Sequence, residues 1–158
     1  MGDYTAVLET TTTTTTRQEI HKPQPLPQPA DLFSVMRGVL CQEGEDSRCK
    51  EHFWVVGLRP DNRILYVELV NSGNTTATSV NPIKVYRMAV LGKSDRILLV
   101  HNYADGKLDP SESDKRTARA LMEGGKLLNI AVLDHLIISE DGYYSFLAQE
   151  LMEDIKVG

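Results

Sequence analysis

Two periods of polarity run through this chain, and they place its elements. From Arg63 to Val70 apolar and polar residues alternate, with Ile64, Tyr66 and Glu68 facing one way and Leu65, Val67 and Leu69 the other. A period of two is the mark of a half-buried β-strand. Phe53 to Leu58 is largely apolar, and Pro60-Asp61-Asn62 supplies turn chemistry, so these segments read as an antiparallel hairpin. Ile97-Leu98-Leu99-Val100 is an apolar run without charge that ends at His101. Ile130 to Ile138 reads as a further strand, Asp141-Gly142 as a hairpin turn and Tyr143 to Phe146 as the last strand.

Helical patterning fills the intervals. Asp31 is a good N-cap for a short helix over LFSVMRGVL. Asn81-Pro82 starts another, with Pro at the first helical position, where its missing N–H costs nothing, and Ile83, Tyr86 and Val90 as the expected buried stripe. A third runs from about Glu112 to Leu128 with Ala118, Leu121 and Met122 facing inward; Gly124-Gly125 weakens it and implies close packing or a local break. Gly73 to Ser79 is polar, threonine-rich and loop-like. The order ββα-β-α-ββ predicts an α/β (α+β) fold, a mixed sheet flanked by helices.

Residues 1–30 break both periods. Thr10 to Thr16 is an unbroken threonine run, and Pro23, Pro25, Pro27 and Pro29 alternate with other residues, which favours extended polyproline II. This stretch reads as a disordered tail or linker, because it cannot bury enough apolar surface to offset its ordering entropy. Residues 31–158 are then a single domain.

Composition adds exclusions. No apolar run approaches the ~20 residues of a membrane span, and the N-terminus lacks the basic and apolar regions of a secretory signal, so a cytoplasmic location is expected. Net charge is −5, which argues against direct sequence-independent DNA binding, an affinity that rests on Lys and Arg against phosphates. Lys84, Arg87, Lys93 and Arg96 are read as solvated surface. Cys41 and Cys49 are expected to be reduced thiols; Cys49-x-x-His52 has no second half to complete a zinc site.

The candidate chemistry gathers after His101. A buried strand that delivers a His to its end fixes that side chain rigidly. Ser111 follows ten residues later and Asp114 three after that. This resembles the JAMM signature of MPN/JAB-domain metalloproteases, His-x-His-x7-Ser-x2-Asp, and in particular the RadC family of bacterial JAB proteins, linked by name to DNA repair. Further likeness comes from Glu51 opening KEHFWVVGL, the hairpin LRPDNRILYVELVNSGN, the helices NPIKVYRMAVLG and DKRTARALMEGGKLLNI, and LDHLIISEDGYYSF. It covers about Leu32 to Gln149, and the family's N-terminal helix-hairpin-helix module has no counterpart in it.

The resemblance implies an MPN/JAB-like (cytidine deaminase-like) fold and a zinc site. Its ligands would be His101 and Asp114, its general base Glu51 and its oxyanion donor Ser111. Three protein ligands leave a fourth position for water, whose pKa falls to about 7 on zinc; a carboxylate then moves its proton, and a hydroxyl stabilises the tetrahedral intermediate. The departure is Tyr103, which stands where the second motif His belongs. A phenol, with pKa near 10, is a poor substitute ligand; Asp105, in the same loop, is the other candidate for the vacant place. From the residues alone other readings stay open. Ser111 and Asp114 also fit a helix N-cap and its N3 partner, and Glu51 a polar residue before a strand. His101 fits a hydrogen-bonded strand end, and His135 a packed or supporting residue rather than a ligand. Two functions follow: a non-catalytic or weakly active binding or scaffold module with a degenerate zinc site, or a zinc-dependent peptidase or isopeptidase with a modified ligand set, associated with DNA repair or mobile elements. Its partner would be a peptide or protein of unknown identity.

Overall fold

The computed structural model describes residues 17–18, 28–45, 49–73 and 80–157. Strand β1 is the pair Arg17–Gln18 and helix α1 spans Pro29–Gln42. Strands β2 (Glu51–Leu58) and β3 (Ile64–Gly73) lead to α2 (Pro82–Leu91) and β4 (Arg96–Asn102). Helix α3 (Glu112–Leu128), strands β5 (Ala131–Ile138) and β6 (Tyr143–Ser145), and helix α4 (Leu151–Val157) complete the order. The strands form one sheet in the order β1-β3-β2-β4-β5-β6, in which β4 and β5 are parallel and every other pair is antiparallel. This is the mixed sheet flanked by helices that the patterning predicts.

Both faces of the central strands are covered, so their sequences are apolar in consecutive positions rather than in alternate ones. One face carries Trp54, Val56, Leu98, Val100, Leu136 and Ile138 against Leu32, Met36, Val39 and Leu40 of α1. The other carries Phe53, Val55 and Leu99 against Val85, Tyr86 and Ala89 of α2 and Leu121 of α3. Glu51, Phe53 and His101 share this second face, since Phe53 lies directly opposite His101 across the β2–β4 pair.

Several expectations are corrected. Helix α1 starts at Pro29, not after an Asp31 cap: Gln28 is the cap residue and Asp31 lies in the first turn, where its charge suits the helix dipole. In β3 the alternation breaks where Gly57 pairs with Tyr66 but Leu58 pairs with Ile64. That bulge at Leu65 puts Ile64 in the same core cluster as Val67, so Ile64 does not share a face with Tyr66. Helix α2 is rotated relative to the predicted stripe: Val85, Tyr86 and Ala89 are buried, whereas Ile83 and Val90 are 65% and 58% exposed. The Tyr86 hydroxyl, donating to the Leu121 carbonyl, fixes that rotation. Helix α4 is an addition that the patterning did not anticipate.

The Asn81 cap is as expected, its side chain accepting from the Ile83 N–H at 2.9 Å. Gly124 and Gly125 do not break α3; they let α2 and β5 approach it. A Cβ on Gly125 would lie 2.2 Å from the Ile130 carbonyl oxygen and 2.8 Å from the Tyr86 hydroxyl. Asn129 ends the helix in the left-handed conformation. Of the segment read as a tail, Arg17 and Gln18 pair with Glu68 and Val67 on the edge of β3, and residues 19–27 and 1–16 lie outside the described residues. The loop expected over Gly73 to Ser79 also falls outside them after Gly73. No described helix is long and apolar enough to cross a membrane.

Candidate functional site

Strand β4 delivers His101 to the second face of the sheet, 4% exposed, and the chain then turns back through Tyr103 to the start of α3. The first turn of α3 is held by a capping box. The Ser111 hydroxyl accepts from the Asp114 N–H at 3.1 Å, and Asp114 Oδ2 accepts from the Ser111 N–H at 2.7 Å. Ser111 Oγ, 2.8 Å from Asp114 Oδ2, also has its own proton to donate there. The capping reading and the site reading therefore concern the same atoms. The box aims the Asp114 carboxylate, fully buried, at His101.

The Tyr103 hydroxyl also donates to Asp114 Oδ2, and the Tyr103 ring stands edge-on to the His101 imidazole with centroids 4.9 Å apart. Asp114 Oδ1 lies 3.5 Å from His101 Nε2, and neither atom has a hydrogen-bond partner among the described residues. On its other side His101 Nδ1 is 2.8 Å from Nε2 of His135. That contact follows from register: Leu99 pairs with His135 and His101 with Ile137 in the parallel β4–β5 pair, so His135 sits on the same face one step back. Phe53 and Phe146 enclose His135, with ring centroids 5.8 Å and 4.6 Å away.

Burial sets the protonation of this array. It lowers the His101 pKa to about 4 against the opposing pull of the Asp114 charge. It lowers that of His135 well below the ordinary imidazole value, with His101 adding to the effect. The Tyr103 phenol is pushed up to about 12, by burial first and then by its hydrogen bond to Asp114, so it remains a protonated donor. Glu51 is half-buried at the start of β2, its pKa raised by burial and then by the charges of Asp114 and Asp105. Asn102 holds that strand end: its Oδ1 accepts from the His52 N–H at 2.9 Å, and its Nδ2 donates to the Lys50 carbonyl at 2.9 Å.

The structure thus gathers His101, Tyr103, Ser111 and Asp114 in direct contact, with Glu51 on the neighbouring strand of the same face. Asp105 is not gathered. Its carboxylate accepts from the Lys107 N–H at 3.1 Å and pairs with the Lys107 ammonium at 3.1 Å, with more than half of its side chain exposed. His135 joins as the partner of His101, in the supporting position the sequence suggested; the signal for the contact was its place on the strand after α3. Asn102 was not singled out, and only strand pairing reveals it. Cys49 is exposed, whereas His52 is buried on the α1 face, stacked on Trp54 at 5.1 Å.

Zinc can be tested against these atoms. Two donors bound about 2.0–2.2 Å from a tetrahedral ion lie about 3.4 Å apart, and His101 Nε2 and Asp114 Oδ1 meet that bite. The third ligand fails. The Tyr103 proton is committed to Asp114 Oδ2, Asp105 faces solvent, and no group of three or more His, Cys, Asp or Glu among the described residues is placed to hold a metal. Both facing donor atoms are also sealed from solvent, whereas a catalytic zinc needs an open position. The residues present do not fit a three-ligand zinc centre.

Comparison with known proteins places the whole arrangement. The model of the RadC-like JAB domain matches residues 26–152. A UPF0758 protein of Chlorobaculum parvum is 36% identical over 122 residues, covering 77% of this chain and 53% of that relative. UPF0758 proteins of Alkaliphilus metalliredigens and Flavobacterium johnsoniae are 38% identical over 103 residues and 30% over 130, covering 65% and 82% of this chain and 44% and 55% of each relative. The chain spans about half the length of the curated relatives it matches. With the strand order, the His-bearing β4 and the Ser111–Asp114 helix start all in place, the chain belongs to the RadC family.

Proposed function

We propose that this domain is a non-catalytic binding or scaffold module, which keeps the JAB fold around a degenerate zinc site and acts by contacting a peptide or protein. The observation that carries the reading is the Tyr103 hydroxyl on Asp114 Oδ2. In the resembled site that place belongs to a second imidazole ligand, and here a hydrogen bond fills it without a cation. The Ser111 hydroxyl is likewise committed to Asp114, so neither group is free to serve a reacting carbonyl.

A second reading, a zinc hydrolase with a modified ligand set, draws on one observation: the facing His101 Nε2 and Asp114 Oδ1 at 3.5 Å. Zinc titration of the wild type and of Tyr103→His, followed by the melting midpoint, separates the two. The variant should bind zinc and gain stability by mass action, about 2.7 kcal/mol at a hundredfold excess over the dissociation constant; the wild type should not shift. Equal, large shifts in both proteins would refute the proposal. So would about one zinc per chain in wild type purified without chelator.

A further inference from the structure

The hydrogen between the two buried imidazoles can belong to either ring, and the surroundings decide which. With 2.8 Å between His101 Nδ1 and His135 Nε2, one hydrogen lies between them. Each neutral imidazole carries one N–H and one lone pair. If His101 donated, its Nε2 would present a lone pair to the carboxylate oxygen Asp114 Oδ1 at 3.5 Å, two acceptors facing each other. His135 would then carry its proton on Nδ1, a buried position with no hydrogen-bond partner among the described residues and walled by Phe53 and Phe146. An orphaned buried N–H is costly, and an under-used lone pair is cheaper. If His135 donates instead, its Nδ1 keeps an unused lone pair, and the His101 Nε2–H, though it makes no hydrogen bond among the described residues, faces the carboxylate oxygen Asp114 Oδ1 at 3.5 Å instead of an aromatic wall.

We infer that His135 is the positioning residue of this array: its Nε2–H donates to Nδ1 of His101, which puts the His101 proton on Nε2, directed at Asp114. The polar groups are then aligned from His135 to His101, whose Nε2–H faces Asp114 Oδ1 across 3.5 Å, while Tyr103 and Ser111 serve Oδ2. A cation approaching His101 Nε2 meets an N–H rather than a lone pair. For His101 to ligate, both rings must exchange tautomers, and the His135 proton must end on Nδ1, where no described residue accepts it. In this array a metal at His101 therefore requires a rearrangement at His135 as well as a change at Tyr103.

The test is long-range ¹H–¹⁵N correlation of the imidazole nitrogens in the uniformly labelled, chelator-treated wild type, with His101 assigned by loss of its signals in His101→Gln. Both rings should show a protonated Nε2 and a pyridine-type Nδ1. In His135→Leu the His101 Nδ1 resonance should move to the position of an unbonded lone pair. His135→Gln, whose amide can donate, should bring it back. A protonated Nδ1 on wild-type His101, alone or together with a protonated Nε2, overturns the inference, and the wild-type spectrum decides this even if neither His135 variant folds. The result is separable from the proposed function. Zinc binding by the wild type would refute that reading and leave a His135-to-His101 bond in the metal-free protein untouched.

Discussion

Replacing Tyr103 by Phe removes one hydroxyl and nothing else from the centre of the array. The ring can keep its edge-on contact with His101 at 4.9 Å, so the perturbation is confined to the donor on Asp114 Oδ2 and a long acceptor contact with the Ser111 N–H at 3.3 Å, an N–H that still donates to Asp114. A hydrogen bond to a charged group contributes about 1.5–3 kcal/mol. Oδ2 retains two donors, the Ser111 N–H at 2.7 Å and hydroxyl at 2.8 Å, so the loss should fall at the lower end, about 1.5 kcal/mol. For a domain of this size that is a fall of about 3–6 °C in the melting midpoint. The effect should be flat across neutral and mildly alkaline pH, because the phenol, raised to about 12, keeps its proton there. Urea denaturation of wild type, Tyr103→Phe, Ser111→Ala and the double variant measures it. The cycle should show coupling, since both groups meet at one oxygen. A Phe variant as stable as wild type would mean that Tyr103 does not hold Asp114, and the case for a site closed by its own hydrogen bonds would fail.

Two further outcomes follow from packing and burial. Gly125→Ala should destabilise by about 1–3 kcal/mol, overpacking against the Ile130 carbonyl and Tyr86 outweighing the better helix propensity of Ala; a higher melting midpoint would contradict the α2–α3 contact. Stability should also fall on acidification. His101 is held neutral in the fold down to about 4, whereas the unfolded chain takes up its proton near 6.5, so unfolding gains protons in that window and stability is lost as pH falls through it. The loss from His101 alone is on the order of 2 kcal/mol at about pH 5, and a urea midpoint unchanged between about pH 7 and 5 would show that the imidazole is not buried neutral.

Strands and the two principal helices were legible because their polarity periods are strong and their boundaries carry Pro, Asn or Gly. What the sequence concealed depends on partners. The bulge at Leu65 inverts the facing of Ile64, and that is set by pairing with β2, not by β3 itself. The rotation of α2 depends on the hydroxyl of Tyr86 reaching Leu121, a contact between helices 35 positions apart. At the site, spacing alone brought Ser111 and Asp114 together, because a helix N-terminus is a local structure. The contact of His101 with His135 is a product of parallel register, and the commitment of Tyr103 to Asp114 depends on how the loop folds back.

That register has a consequence for how the array is acquired. His101, Tyr103, Asp114 and His135 all belong to the continuous β4–α3–β5 unit, with the two imidazoles only 34 positions apart, while Glu51 comes from β2 and is placed through Asn102. The array can therefore assemble as soon as one strand–helix–strand unit docks on itself, with modest loop entropy to overcome. Glu51 arrives only when the preceding hairpin pairs with β4. Substitutions between Tyr103 and Asp114 can therefore remake the array's chemistry without touching the backbone pairing of β2 with β4, which ends at Asn102.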